Sequence, residues 1–220
     1  MKVGMKAEKG KGSPKDIYEE IKNLIILEKI DTESMSGNDL KKLLIEHNIG
    51  IDCSAFAYYI LNVESENKNK GSLDKHLSYP FSKNFWRNIK AKMRPIENTD
   101  VKTLSHEKNS REIEMKNIEP GDMITMINKQ NTEERNHIII PYEIDYQDFI
   151  PKKIYYTHSI AWPTDGEYGH GIRDGIIEVI DINKSIVEQK WLENGKTENE
   201  NYTYTRAREC DTKIRRLNWF

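Results

Sequence analysis

An α+β fold is predicted, with N-terminal helices packed on a five- to six-stranded antiparallel sheet. Three observations carry it. Apolar residues recur at helical spacing from Ile17 to Met93. From Ile118 onward the pattern changes to β-type runs bounded by glycine and proline. The chain has 220 residues and no internal repeat, enough for one domain with a substantial core. The domain is expected to span 13–220, after a disordered Lys- and Gly-rich segment at 1–12.

The first helix is expected over 14–30. Ser13 and Pro14 read as N-cap and first helical residue, with Asp16 at the capping-box position. Ile17, Ile21, Leu24 and Ile25 then form a stripe expected to face the core. "SGNDLKKLLIEHN" repeats the pattern with Leu40, Leu43 and Leu44, and His47 reads as a packed core histidine; Gly50 ends the helix or follows its end. A third helix over 54–62 starts just after Cys53, and residues 63–76 read as a loop. "FSKNFWRNIKAKM" places Phe81, Phe85, Ile89 and Met93 on one face of a fourth helix that Pro95 ends. Residues 96–117 are polar and read as a loop with local turns.

Pro120-Gly121 is a turn leading into "DMITMI". "HIIIPYEI" is the next strand, which Pro141 shortens or places at an edge. "KIYYTHSIAW", "GIIEVIDI" and "KIRRLNWF" complete the set. "GEYGHGIRDG" is glycine-rich but lacks a strand-loop-helix phosphate signature, so it reads as a hairpin loop.

A net charge of −2, with "KIRR" as the closest thing to a basic patch, argues against a nucleic-acid partner. "LIILEKI" is too short and too charged to span a membrane. The basic N-terminus has no apolar run behind it, so the protein is expected to be cytoplasmic if the chain is full length, and exported if a leader was trimmed. Two cysteines make no disulfide framework. One bridge is conceivable, but if Cys53 is a free thiol then Cys210 reads as a solitary structural residue.

Cys53 lies in "GIDCSAFAYYIL", at the first turn of an apolar helix. A helix N-terminus and a nearby imidazole both favour thiolate, lowering a thiol pKa from about 8.5 to roughly 3.5–7.5. A nucleophilic cysteine also needs a base, and a third group to hold that base. His137 and His158 lie in strand candidates whose separation suits neighbouring antiparallel strands. His158 shares a face with Tyr156 and Ile160, expected to look toward the helices.

In that order the motifs resemble the NlpC-type cell-wall peptidases, which are papain-like. "DCSAFAYYIL" resembles the family's Asp-Cys-Ser-Gly-Phe helix, and "IEPGDMITM" its Pro-Gly-Asp strand. "HIIIPYEI" resembles its His-Val-Gly-Ile-Tyr strand, "YYTHSI" the strand that follows, and "TKIRRLNW" the closing Arg-Arg strand. The likeness runs from residue 38 to 220, with an insertion around 64–118. It implies Cys53 as nucleophile, His137 as base and His158 as the group that orients it. It implies that Asp52 and Ser54 grip the substrate's amino end. The residues themselves also allow Asp52 as a favourable helix-dipole charge and Ser54 as a helix-start residue.

Trp162 and His170 are expected to line the cleft, although Trp162-Pro163 equally reads as a simple turn. Asp122 reads as a structural turn residue. The chain departs from the family in lacking Tyr-x-x-Gly-Gly before the cysteine, in Ala55, and in the long segment 142–153.

The resemblance implies a bacterial cysteine peptidase that cleaves a peptidoglycan-type peptide beside a D-glutamyl residue through an acyl-thioester. Its partner would be a peptide or muropeptide, with no cofactor. Other readings stay open: an intracellular amidase or acyltransferase, or a non-catalytic ligand-binding module. Zinc held by Cys53, His158 and His170 lacks the paired short spacing of a metal site, so no metal is expected.

Overall fold

The computed structural model describes residues 10–130 and 136–220. The chain is α+β, as expected. Its first half is helical: α1 (Pro14–Glu28), α2 (Gly37–Glu46), α3 (Cys53–Asn67), α4 (Phe85–Met93), α5 (Pro95–Asn98) and α6 (Val101–Ser105). The second half holds β1 (Ser110–Glu112), β2 (Met123–Asn128), β3 (His137–Gln147), β4 (Ile150–Ile160), β5 (Gly171–Glu178), β6 (Lys190–Glu193) and β7 (Lys196–Thr197). Helix α7 (Tyr202–Glu209) and strand β8 (Cys210–Leu217) close the chain. Helix starts follow the polar residues before them. Ser13 with Asp16, and Ser36 with Asp39, form reciprocal capping boxes, and Asp52 caps α3 by accepting from Ala55 N–H.

The sheet has eight strands, not five or six, in the antiparallel order β1-β8-β2-β3-β4-β5-β6-β7. The added strands β1, β6 and β7 are three, four and two residues long. Such stubs show no alternation of their own; they form by pairing with a longer neighbour, as Arg111 does with Arg216 on β8. Helix α7 was also unexpected. "YTYTRARE" is polar and buries only Thr203 and Ala207, so no apolar period marks it. Residues 96–117 are not a loop, since α6 and β1 lie within them.

Both faces of the sheet are covered. One core joins Ala57 and Leu61 of α3 and Leu104 of α6 to Met123, Ile138, Ile140 and Leu217. The other joins Ile124, Ile139, Ile154, Tyr156 and Ile177 to Trp191 and Ala207. Each fully buried isoleucine contributes about 1.5–3 kcal/mol. Burial of alternate β3 residues on opposite sides explains the unbroken "HIII" run. Pro141 does not end β3. It pairs with Tyr156 at the edge of a bulge that separates it from the Glu143–Tyr155 pair, and its carbonyl accepts from Gly121 N–H. Gly121 turns at φ 87 with the Glu64 side chain packed against it, so a side chain there would be both strained and crowded.

Three further expectations are corrected. Residues 1–9 of the expected disordered segment lie outside the described residues. Residues 10–12 are pinned: Gly10 O accepts from Asp52 N–H, and Lys11 bridges Ile51. His47 is not a core residue. It is the C-cap of α2, one-third exposed, with its Nε2 3.5 Å from Glu28. The aromatic face of α4 is not buried either; only Ala91 of that helix is.

Candidate active site

The β3–β4 ladder runs from the Gln147–Ile150 pair to the Ile140–Thr157 pair and stops there. Residues 137–139 of β3 pair with β2 instead. The start of α3 meets the two strands where they part. Ile51 O accepts from Ser159 Oγ of β4 at 2.6 Å. The backbone N–H of Ile138 on β3 is near enough to the Cys53 sulfur to favour its thiolate. A cysteine at the first turn of a helix is thereby placed one residue along the strand from His137.

His137 and His158 do meet. His137 Nε2 and His158 Nδ1 are 2.7 Å apart, and both rings are buried. A carboxylate continues the line: Glu193 Oε1 faces His158 Nε2 at 3.2 Å, off the best hydrogen-bond angle, and Glu193 Oε2 accepts from Tyr156 Oη at 2.7 Å. Burial pushes the Glu193 carboxyl up, but His158, Tyr156 and Thr203 outweigh it and hold the group below its ordinary value. Tyr156 lies directly over Gly175 of β5, where any Cβ would collide with its ring.

This arrangement orders the protons. With His158 Nε2–H turned to the Glu193 carboxylate, the tautomer consistent with the contacts has His158 Nδ1 accepting from His137 Nε2–H. His137 Nδ1 is then the lone pair that can accept a proton. Burial first, then His158 and Arg206, lower the His137 pKa well below 6.5, so the ring is neutral at neutral pH.

Two expectations change. His158 does not face the N-terminal helices. Tyr156 and Ile154, on its side of β4, pack in the core with Trp191 and Ala207, while Ser159 on the other side reaches the start of α3. Nor is Cys53 a ready thiolate. Burial first, and then the Asp52 charge, push its pKa up to about 11, against opposing pulls from Arg206, Lys11 and the Ile138 N–H. Among the described residues no hydrogen bond joins the Cys53 sulfur to His137. The expected thiolate does not form, because burial and the nearby Asp52 charge outweigh the groups that favour it.

Asp52 and Ser54 form one polar cluster. Ser54 Oγ donates to Asp52 Oδ1 at 2.9 Å. Lys11 Nζ lies 2.7 Å from Ser54 Oγ and 2.9 Å from Asp52 Oδ2. The Lys11 carbonyl accepts from Tyr59 Oη, which fixes the backbone behind that ammonium. Asp52 also lines a cavity of about 230 Å³ with Gly10, Asn48 and His170. His170 is half-buried, 3.3 Å from Ser159 Oγ. Burial, then Lys41, lower its pKa, and Asp52 opposes them.

Trp162 does not line an open cleft. It is buried, donates from Nε1 to Thr203 Oγ1 at 3.2 Å, and carries the Arg173 guanidinium over its ring at 5.1 Å. Asp122 is structural, as expected: it receives Arg216 Nε at 2.7 Å and caps the turn at Glu119. Cys210 is buried and unbridged. No cluster of three or more metal-ligating side chains occurs among the described residues. No helix among them is long and apolar enough to cross a membrane.

Sequence reasoning missed Glu193 and Lys11. A lone glutamate in "QKWLENGK" carries no local signal, because its role comes from β6 joining the sheet beside β5. Lys11 fell in a stretch whose composition resembles a free tail. Comparisons with protein-family models, with curated proteins and with solved structures found no match to this chain.

Proposed function

We propose that the protein is a papain-like cysteine hydrolase of the NlpC type, acting on an amide bond with Cys53 as nucleophile, His137 as base and His158 as orienting group. One observation carries this reading: α3 starts where β3 and β4 part, with Cys53 near Ile138, and the adjacent residue His137 forms a buried imidazole pair with His158 that Glu193 backs. The raised thiol pKa and neutral His137 favour proton transfer during attack over a preformed ion pair. The sulfur adds to the carbonyl carbon as its proton passes to His137 Nδ1. The Cys53 N–H, a first-turn donor without an intrahelical acceptor, is available to the oxyanion. Collapse breaks the C–N bond, and the imidazolium proton goes to the leaving amine. Water then attacks the thioester, giving a proton to His137, and the thiol is restored.

Asp52 and Ser54 are suited to a substrate ammonium, since they already hold one from Lys11. A peptidoglycan-type peptide with a D-glutamyl amide is the substrate class the family likeness suggests. The experiment is incubation with γ-D-glutamyl amides and with ordinary peptide amides, quenched in acid and read by intact mass. Cleavage with a transient acyl adduct, abolished in Cys53→Ser and reduced at least about 100-fold in His137→Ala, supports the reading. Cleavage of ordinary amides alone would move it to a general amidase.

A second reading is favoured by the protonated thiol: a ligand-binding module on the same scaffold. It predicts no adduct with any amide, and iodoacetamide labelling of Cys53 whose rate is unchanged by His137→Ala.

A further inference from the structure

Helix α4 carries an apolar surface that nothing among the described residues covers. Phe85, Trp86 and Met93 are 71%, 76% and 77% exposed, and Phe81 in the preceding turn is 57% exposed. The same stretch is cationic. From Phe81 to Arg94 the sequence reads "FSKNFWRNIKAKMR", with Lys83, Arg87, Lys90, Lys92 and Arg94 and no acidic residue. This outdoes "KIRR" as the basic patch of a chain whose net charge is −2. Arg94 is held by Glu97 at 3.6 Å. Among the described residues the other four make no ion pair.

Two clefts flank the helix. One, of about 360 Å³, is lined by Phe81, Arg87, Lys90 and also Asp100; the other, of about 260 Å³, by Ser78, Asn88, Lys92 and Lys108. The Asp100 carboxylate is engaged as the α6 cap, accepting from Thr103 N–H at 2.6 Å. Each cleft is large enough for a small anionic group and is lined by two cations, and the exposed Phe81 borders the first.

We propose that α4 is a docking surface for an anionic lipid bilayer, lying in the headgroup layer with Phe85 and Trp86 inserted and its cations on lipid phosphates. A helix with protruding Phe and Trp on one side and Lys and Arg around them has the chemistry of an interfacial helix. Its charge is complementary to an anionic surface. An acidic protein partner would have to offer a groove for two adjacent protruding rings, and nothing on this face suggests one. The proposal is independent of the thiol chemistry.

The test is flotation of the full chain with vesicles of pure phosphatidylcholine and with equimolar phosphatidylcholine and phosphatidylglycerol, together with tryptophan emission. Trp162 and Trp191 are buried and Trp219 is half-buried, so the part of an emission blue shift that Trp86→Phe removes reports insertion of Trp86. Expected are binding to the anionic vesicles only, that shift, and loss of binding at high salt. Phe85→Ser with Trp86→Ser should abolish binding. Lys90→Gln with Lys92→Gln should weaken it more than about tenfold, since each cation near such a surface counts for roughly fivefold. All four side chains are exposed, so the variants should fold, and circular dichroism checks this. Binding equal on neutral vesicles, or unchanged in the Phe85/Trp86 variant, overturns the proposal. So does failure to float with self-association, by sedimentation, that this variant abolishes; that result would make the face a contact between copies of the chain.

Discussion

The two walls of the candidate site are built from similar side chains under opposite conditions. On the strand wall, Glu193, His158 and His137 form a line sealed from water. On the helix wall, Lys11, Asp52 and Ser54 form a comparable polar cluster, but the Asp52 side chain is 40% exposed. In the sealed line each group depends on its neighbour, because an unmatched partner has no water to turn to. In the open cluster solvent replaces whatever is removed. Strand-wall changes should therefore appear as lost stability, and helix-wall changes as altered reactivity.

The sharpest way to break the contrast is Glu193→Ala. It strands His158 Nε2 and Tyr156 Oη inside the core and should cost about 3–5 kcal/mol in urea unfolding. A loss below about 1 kcal/mol would show that the line is not interdependent. Gly175→Ala comes next. Its methyl meets the Tyr156 ring, and the shift should cost about 1–3 kcal/mol by the same measurement.

Acid provides a third probe. The folded His137 pKa is depressed below the 6.5 of an ordinary histidine, so below pH 6.5 the unfolded chain binds the proton and the folded one does not. This contribution is fully present above pH 6.5 and is lost as pH falls toward the folded pKa. The thermal midpoint should accordingly drop on acidification, and the drop should be smaller in His137→Gln.

Smallest in stability are the helix-wall changes. Lys11→Met should move the unfolding free energy by less than about 1 kcal/mol. Asp52→Asn keeps a good cap but removes the charge that raises the thiol pKa, so iodoacetamide should label Cys53 several-fold faster at about pH 8. In the unmodified chain the labelling rate should climb steadily with pH toward about 11. A plateau near neutrality would restore the preformed thiolate.

The long strands were legible because their alternation matches burial on two faces, as "HIII" shows. Caps at Ser13 and Ser36 were legible because the hydrogen bonds are local. The His137–His158 meeting was legible from the spacing of the two strands, but not the side of the sheet on which it lies. Facing depends on which layer covers each side of the sheet, and α7, which covers the His158 side, has no apolar period to announce it. Periodicity also identified α4 as a helix without saying what its aromatic side would meet. Glu193 and Lys11 act only through long-range contacts and left no local trace.

The sheet finishes in stubs: β1 has three residues and β7 two. A stray strand from another molecule would find few hydrogen bonds on either end strand. The borders thus discourage fibrous stacking, although the middle of the sheet is made of the isoleucine-rich runs that would otherwise invite it.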